Sequence, residues 1–245
     1  MLPLWLLVGV LTGTIVNLLA YRLPCRKPAL SASACCGECG APLGPAVLIP
    51  LAGFVLSKGK CRVCGAKLPV RLPLVELSTA ALFATLFLRL GLSWLLVVSC
   101  LYAAILVLVF VIDLEHRLIL NIVTYPSMAL AIMLGFAVPG LNALSGLLGG
   151  LFYGGLFLAL YVASVLIYKR EDALGQGDVK LAIFIGLITG MPGALYAALA
   201  GTILGALAGL WAIIVNKASG KSTMPYGTSL SIGALAVLVW SPWIG

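Results

Sequence analysis

The sequence predicts an all-α, polytopic integral membrane protein. Of its 245 residues, 62% are hydrophobic and 9% are charged. Apolar segments recur from one end of the chain to the other, and several are long enough to cross roughly 30 Å of hydrocarbon as helices. A soluble domain of this length needs more polar residues to cover its surface. The apolar excess therefore faces lipid or other helices, which excludes the soluble classes of protein.

The apolar pattern predicts about eight transmembrane helices. The first covers residues 1–21, and Arg22, Arg26 and Lys27 follow it instead of preceding it. This charge order favours a retained helix with its N-terminus outside over a cleaved secretory signal. The remaining apolar segments are residues 74–90, 94–112, 122–138, 145–168, 179–190, 194–215 and 229–244.

Residues 22–73 form the one sizeable polar region and contain eight of the fifteen Lys and Arg residues. Positively charged residues are retained on the cytoplasmic side of membranes. Threading the eight helices alternately puts this region on that side, together with Asp113 and Asp178. The sequence therefore divides into a first transmembrane helix (1–21), a cytosolic cysteine-rich subdomain (22–73) and a transmembrane domain (74–245).

Two C-x-x-C pairs in the polar region predict a metal site. Cys36 and Cys39 form one pair, Cys61 and Cys64 the other, with twenty-one residues between the pairs. Two residues between ligands allow a tight turn to direct both thiolates at one tetrahedral ion, so the pattern predicts a zinc-ribbon-like loop with a structural zinc. Cys35 is an alternative first ligand at a less usual spacing. A redox dithiol and a loop without metal are the other interpretations, and the cytosolic location disfavours a disulfide.

Asp113 and Asp178 are the candidate catalytic residues. Ionisable side chains at membrane depth are costly and are taken as functional by default, and the chain has only seven acidic residues. Each aspartate lies at the end of an apolar segment, and Gly175 and Gly177 allow close backbone approach next to Asp178. If the two carboxyls meet, one can accept a proton from water while the other protonates a peptide carbonyl. The alternative is a pair of helix-end charges at the headgroup level, and the sequence does not distinguish acid from base.

Other charged residues are weaker candidates. His116, the single histidine, is at a position where a solvated side chain is more common than a catalytic one. Glu171 and Asp172 are candidates for an acidic spot that receives a basic substrate segment. Lys180 is expected to anchor its helix at the membrane interface or to steady Asp178.

The order of these motifs resembles the type IV prepilin peptidases, bacterial inner-membrane aspartic proteases of the GxGD class. The resemblance covers nearly the whole chain. Its residues are Gly13 to Asn17 with Tyr21 to Pro24, the paired C-x-x-C loop, Arg71 to Glu76, Ile112-Asp113, and Gly175 to Leu181. Two positions depart from the family pattern: Asn121 stands where an aspartate is frequent, and Thr228 stands where a proline is common.

The resemblance implies cleavage of the basic leader of type IV prepilins or pseudopilins, after a glycine at the cytosolic face of the bacterial inner membrane. It also implies N-methylation of the new N-terminus with S-adenosylmethionine, for which the sequence offers no recognisable binding loop. The implied partners are prepilin substrates and membrane lipid, not nucleic acid, and the oligomeric state is not indicated.

Two functions of other classes remain as alternatives at this point. A proton- or cation-coupled transporter would also keep acids within the membrane. It has no need of the cysteine loop, however, and the sequence shows no inverted repeat. A zinc-stapled assembly factor without chemistry would keep its function when either aspartate is replaced by asparagine.

Overall fold

The protein is described by a computed structural model that covers residues 1–24, 54, 59–61, 63–168, 175–216 and 226–240. Seven helices have described bounds. They are α1 (Leu2–Arg22), α2 (Arg71–Leu90), α3 (Trp94–His116), α4 (Asn121–Ala137), α5 (Ala143–Tyr168), α6 (Gln176–Asn216) and α7 (Tyr226–Trp240). In this part of the chain, the only extended pairing is an isolated antiparallel bridge between Lys60 and Lys67. The prediction of an all-α protein is confirmed for the described residues.

Five of these helices are long and apolar enough to cross a membrane: α1, α2, α3, α5 and α6. Helices α4 and α7 are equally apolar but shorter, with 17 and 15 residues. Large apolar side chains on these helices are exposed, among them Leu151 and Leu166 of α5 and Trp240 of α7, each more than 70% exposed. Such apolar surfaces suit contact with lipid. The chain is therefore a polytopic helical membrane protein.

Helix α6 is broken inside the membrane region. Gly190 has φ 60° and the following Met191 has φ −97° and ψ 132°, so neither is helical. The sequence predicts two separate helices here, 179–190 and 194–215, and the break falls at the predicted boundary. The hydroxyl of Ser145 in α5 accepts a hydrogen bond from the Met191 N–H at 2.9 Å and donates one to its carbonyl at 3.0 Å. These bonds satisfy the N–H and C=O of Met191, for which lipid offers no hydrogen-bond partner.

The chain divides into two compact units, Met1–Leu92 and Ser93–Gly245. In the first unit, α1 packs closely on α2 because small residues line the contact. A Cβ on Gly9 would lie 2.6 Å from the Ala80 Cα. Thr14 donates a hydrogen bond to the buried Glu76 carboxyl at 2.8 Å, which gives this membrane carboxyl a polar partner.

In the second unit, α6 packs along α5 and against α7, and α7 also packs against α3. The largest fully buried side chains of this unit are Tyr153, Phe157, Phe184, Leu96, Leu106, Ile112, Leu181, Ile185 and Leu230. This packing brings the C-terminal end of α3 and the N-terminal ends of α6 and α7 together. All residues of the candidate site described below lie at that end of the second unit.

Candidate active site

Asp113 lies in the last turn of α3, inside the second unit. The apolar run of α3 buries most of this helix, and Asp113 is itself only 4% exposed. The helix continues past Asp113 and ends after His116, where Arg117 adopts the left-handed conformation (φ 53°, ψ 40°). The Asp113 carboxyl and Arg117 interact electrostatically. The last turn of α3 therefore places a carboxyl in the interior of the second unit.

The Asp113 carboxyl contacts the first turn of α7. Its Oδ2 accepts a buried hydrogen bond from the Thr228 N–H at 2.7 Å. The neighbouring Gly227 makes this approach possible, since a Cβ there would lie 3.0 Å from the Asp113 Oδ2 and 3.1 Å from its Cγ. An N–H in the first turn of a helix has no partner within the helix, so Asp113 satisfies a donor that would otherwise be buried unpaired.

Asp178 is the third residue of α6 and caps that helix. Its own N–H donates to the Gly175 carbonyl at 3.0 Å, and its Oδ2 accepts from the Gly175 N–H at 3.3 Å. The side-chain bond is the one that the third residue of a helix makes in a capping box, and the backbone bond closes the first turn of the helix. Asp178 is more exposed than Asp113, so its carboxyl has access to the surroundings of the site.

The two carboxyls, which are 65 positions apart in the sequence, interact electrostatically with each other. Ile119 lies in the link between α3 and α4 and packs on one glycine of α6 and one glycine of α7. A Cβ on Gly177 would lie 2.9 Å from the Ile119 Cβ, and one on Gly227 would lie 3.1 Å from its Cδ1. The two glycines therefore let Ile119 fit between α6 and α7 beside the carboxyls.

Lys180 contacts α4. Its Nζ donates a hydrogen bond to the Asn121 Oδ1 at 2.9 Å and lies 5.3 Å from the centre of the Tyr125 ring. These contacts tie the start of α4 to the first turns of α6. His116 lies 3.9 Å from the neighbouring Glu115 carboxylate on the partly exposed end of α3.

Half of the predicted cysteine site falls within the described residues. Cys61 and Cys64 lie on a hairpin closed by two hydrogen bonds, from the Cys61 N–H to Ala66 (2.7 Å) and from the Gly65 N–H to Cys61 (2.9 Å). Gly65 has φ 73°, which favours glycine. Among the described residues no group of three or more His, Cys, Asp or Glu side chains could hold a metal ion. The predicted ligands Cys36 and Cys39 and the acidic candidates Glu171 and Asp172 lie outside the described residues.

The second unit also contains a cavity of about 60 Å³ near the break in α6. Its lining includes Tyr102, Asn142, Ser145, Thr189 and Gly190, and neither of the aspartates. Twelve residues of α6 separate Gly190 from Asp178, a distance of roughly 18 Å along a helix. The cavity is therefore a separate feature, and the paired carboxyls mark the candidate site.

Sequence reasoning did not identify the contacts of three residues at this site: Ile119, Gly227 and Thr228. Ile119 is one of many apolar residues, and Gly227 is one of 28 glycines. Thr228 differs from the family pattern, but its contribution comes from the backbone, which side-chain identity does not reveal. The proximity of its N–H to Asp113, across 115 positions, follows from the packing of α7 on α3.

Two carboxyls that helix packing brings to one end of a polytopic helical protein are what the class of membrane aspartic peptidases requires. Comparisons with known proteins agree with that class. A family model described as the Bacterial Peptidase A24 N-terminal domain matches residues 7–90, and one described as the Type IV leader peptidase family matches residues 100–210.

Several curated proteins with the name prepilin leader peptidase/N-methyltransferase are similar to the chain. The one from Bacillus subtilis (strain 168) is 29% identical, over 98% of this chain and 94% of its own length. Those from Aeromonas salmonicida (strain A449) and Vibrio cholerae are 31% and 32% identical, over 84% and 78% of this chain and 70% and 78% of their own lengths. No solved structure matches the chain. The chain belongs to the type IV leader peptidase family, which disfavours the transporter alternative.

Proposed function

We propose that this protein is a membrane aspartic endopeptidase that removes the basic leader of type IV prepilins or pseudopilins, with Asp113 and Asp178 as its catalytic pair. The observation that carries the proposal is the packing that brings the end of α3, with Asp113, to the start of α6, with Asp178. Ile119 contacts Gly177, which precedes Asp178, and Gly227, which faces the Asp113 carboxyl. The family of the chain and the names of its relatives supply the substrate class.

The chemistry needs only these two side chains and water. One aspartate, as the anion, takes a proton from a water molecule while the water oxygen attacks the scissile carbonyl carbon. The other aspartate, protonated, donates its proton to the carbonyl oxygen. When the tetrahedral intermediate collapses, the C–N bond breaks and the leaving amine receives the proton held by the first aspartate. The hydroxyl formed from the carbonyl oxygen returns its proton to the second aspartate, which restores the pair.

The neighbouring residues support this pair through backbone and packing contacts. Gly175 caps α6 and donates its N–H to Asp178, and Gly177 leaves room for Ile119. Lys180 holds α6 against the start of α4 through Asn121. In this proposal, Lys180 acts through α4 to hold the N-terminal end of α6 in position.

We place the paired carboxyls at the cytosolic face of the bacterial inner membrane, with the cysteine region on the same side. The break in α6 supports the proposal of eight spans, since the two arms of α6, with α1 to α5 and α7, make eight helical segments. Arg22, Arg71 and Arg117 lie at helix ends that this threading puts on the cytosolic side. The division into 1–21, 22–73 and 74–245 is part of the same proposal.

A structural zinc on Cys36, Cys39, Cys61 and Cys64 is a further part of the proposal. The hairpin around Cys61 and Cys64, with glycine at the left-handed position after the second cysteine, suits the donor set, because a C-x-x-C knuckle needs such a turn. Four thiolates leave no open position for water, so the zinc would fold the cysteine region and take no part in hydrolysis.

N-methylation of the new N-terminus is proposed from the names of the relatives, which include N-methyltransferase. S-adenosylmethionine would supply the methyl group, and its binding residues are not assigned. The proposed partners are the prepilin substrate and membrane lipid.

The test of the peptidase is cleavage of a purified prepilin in detergent by the wild type and by Asp113→Asn and Asp178→Asn. We expect each substitution to lower the rate by about a hundredfold or more, since each removes one member of an acid–base pair. Glu115→Gln is the matched control: it removes a carboxyl in the same helical turn as Asp113, one that faces His116, and we expect it to cleave normally.

Mass spectrometry of the product N-terminus reports the cleavage position, and a methyl increment with S-adenosylmethionine reports the second activity. Full cleavage by either aspartate variant would contradict the catalytic pair and favour the assembly-factor alternative. Equal loss in Glu115→Gln would show that the assay responds to helix-end charge in general.

A further inference from the structure

We propose that the backbone N–H of Thr228 makes Asp113 the anionic member of the pair, and hence the base, so that the shared proton resides on Asp178. The assignment of catalytic acid and base rests on the proposed function. The position of the proton does not, because it can be measured without a substrate. Thr228 is a positioning residue in this assignment, because it acts through Asp113.

The two carboxyls accept different hydrogen bonds from the backbone. The Thr228 N–H lies 2.7 Å from the Asp113 Oδ2 and the contact is buried. The Gly175 N–H lies 3.3 Å from the Asp178 Oδ2, in an exposed setting. An N–H can only donate, and its bond to a charged acceptor is shorter and stronger than its bond to a neutral one. The short buried bond favours charge on Asp113.

Thr228 lies at a position in α7 that favours an anionic acceptor. It is the third residue of that helix, where N–H groups have no helical partner and carry the positive end of the helix dipole. Burial of Asp113 by itself favours the neutral form, but a buried carboxylate is tolerated when such donors and a positive charge face it. Arg117, directly after the end of α3, adds that positive charge, and Asp178 on α6 is an acidic group that interacts with Asp113.

Charge on Asp113 places the shared proton on Asp178. Its carboxyl interacts with that of Asp113, so charge on Asp113 disfavours charge on Asp178. Asp178 is the more exposed of the two, which suits the group that must reach the carbonyl oxygen of an incoming peptide. Hydrolysis then begins with proton transfer from water to Asp113 and from Asp178 to that oxygen.

The experiment maps the proton with two reagents that carry the same aryl group, used on the full-length protein in detergent at neutral pH. An aryl glycidyl ether reacts with a carboxylate: the carboxylate oxygen bonds to an epoxide carbon, the ring C–O bond breaks, and the alkoxide takes a proton from water. An aryl diazoacetamide reacts with a carboxylic acid: its diazo carbon takes the proton, N₂ leaves, and the carboxylate forms the ester. Peptide mass spectrometry then identifies the esterified aspartate.

We expect the epoxide to label mainly Asp113 and the diazo reagent to label mainly Asp178. Because the aryl group is shared, restricted access would bias both reagents toward the same residue, and only the proton position can reverse the preference. The opposite assignment, or the same preferred residue with both reagents, would overturn the proposal.

A variant pair isolates the N–H. Thr228→Pro removes it, while Thr228→Ala removes the same side chain and keeps it. Proline is tolerated in the first turn of a helix, and it is the residue that the family pattern often has here. Losing a hydrogen bond to a charged group shifts the proton between the carboxyls roughly tenfold. We therefore expect the ratio of epoxide label on Asp113 to that on Asp178 to fall about tenfold from Thr228→Ala to Thr228→Pro. An unchanged ratio would contradict the role of Thr228.

These measurements separate two kinds of failure. If both aspartate variants are inactive but the labelling preference is reversed, the catalytic pair stands and the role assignment is wrong. If an aspartate variant cleaves normally, the proposed function itself is wrong, whatever the labelling shows.

Discussion

Gly227 sets the approach of Asp113 to α7. A Cβ at this position would lie 3.0 Å from the Asp113 Oδ2 and 3.1 Å from the Ile119 Cδ1. Both neighbours are held by their own contacts, so Gly227→Ala must displace the carboxyl or the helix, at a cost of about 1–3 kcal/mol. We expect prepilin cleavage to fall roughly tenfold or more, because small displacements of a catalytic group are costly.

The matched control for Gly227→Ala is Gly155→Ala in α5, where the added Cβ meets nothing within 4 Å. Initial cleavage rates in detergent, at equal concentrations of folded protein, compare the two. Equal rates for the two variants would mean that Asp113 tolerates a shift of α7, and would weaken the geometric argument for the site.

Lys180 acts on the first turns of α6 through its bond to Asn121. Each of Lys180→Met and Asn121→Ala is expected to lower the free energy of unfolding by about 1 kcal/mol, and the double variant is expected to lose little more than either single one. Unfolding in mixed detergent and dodecyl sulfate measures these values. Cleavage by Lys180→Met at a rate far below that of Asn121→Ala would instead support a direct action of Lys180 on Asp178.

At the residue scale, the sequence predicts the acids but not their surroundings. Asp113 and Asp178 can be selected because carboxyls at the ends of apolar segments are rare and expensive. The Thr228 N–H and the Ile119 side chain cannot be selected in this way. A backbone donor exists at almost every position, and an isoleucine in a chain that is 62% hydrophobic carries no signal by itself.

At the scale of helices, the glycines of α5 and α6 set how closely these two helices approach. Gly186 packs directly on the backbone of Gly149, and a Cβ on Gly149 would lie 2.9 Å from the Gly190 carbonyl carbon. The four-residue spacing of Gly201, Gly205 and Gly209 favours close helix packing in membranes, and Gly201 and Gly205 approach α7 side chains closely. The equally close contact of α5 with α6 needs the register of two helices, which spacing within one helix does not give.

Gly149→Ala is therefore expected to destabilise the second unit by several kcal/mol, since the added Cβ meets backbone atoms that cannot rotate away (overpacking alone costs about 1–3 kcal/mol). Gly155→Ala, six residues further along the same helix, adds the same methyl group to open space and is expected to be neutral. The dodecyl sulfate fraction at half-unfolding measures both. Similar values would show that α5 and α6 separate easily at this point.

The break in α6 is an element that the sequence locates well. Gly190-Met191-Pro192-Gly193 predicts an interruption because glycine and proline both disfavour a continuous helix, and the non-helical residues are Gly190 and Met191. The sequence does not predict that Ser145, 46 positions earlier, bonds to both backbone groups of Met191. Partners of this kind depend on tertiary packing.

For the whole molecule, the division into two units separates the proposed zinc from the proposed catalytic pair. The cysteines 36, 39, 61 and 64 belong to Met1–Leu92, while Asp113, Asp178 and Thr228 belong to Ser93–Gly245. The two matched family regions, 7–90 and 100–210, fall on either side of the same division. Composition predicts the membrane class of the whole chain, but the pairing of α1 with α2 in one unit follows from close helix packing at Gly9 and Gly13.

This separation leads to a prediction about metal removal. The purified wild type is expected to contain one zinc per chain, because four thiolates close one tetrahedral site. Cys61→Ser and Cys36→Ser are expected to lose the zinc, whereas Cys35→Ser is expected to keep it. Elemental mass spectrometry gives the zinc content. Zinc loss in Cys35→Ser with retention in Cys36→Ser would move the first ligand to Cys35, and a wild type without zinc would favour the dithiol or metal-free loop.

The same variants show how far the units depend on each other in function. Hydrolysis by Asp113 and Asp178 uses no metal, so zinc loss should lower cleavage much less than either aspartate substitution, which we expect to cost about a hundredfold or more. Cleavage by Cys61→Ser, measured beside Asp178→Asn on the same prepilin, tests this. If zinc loss abolishes cleavage while the helices of the second unit keep wild-type resistance to dodecyl sulfate, the cysteine region must take part in binding the substrate, and the peptidase would need both units to act.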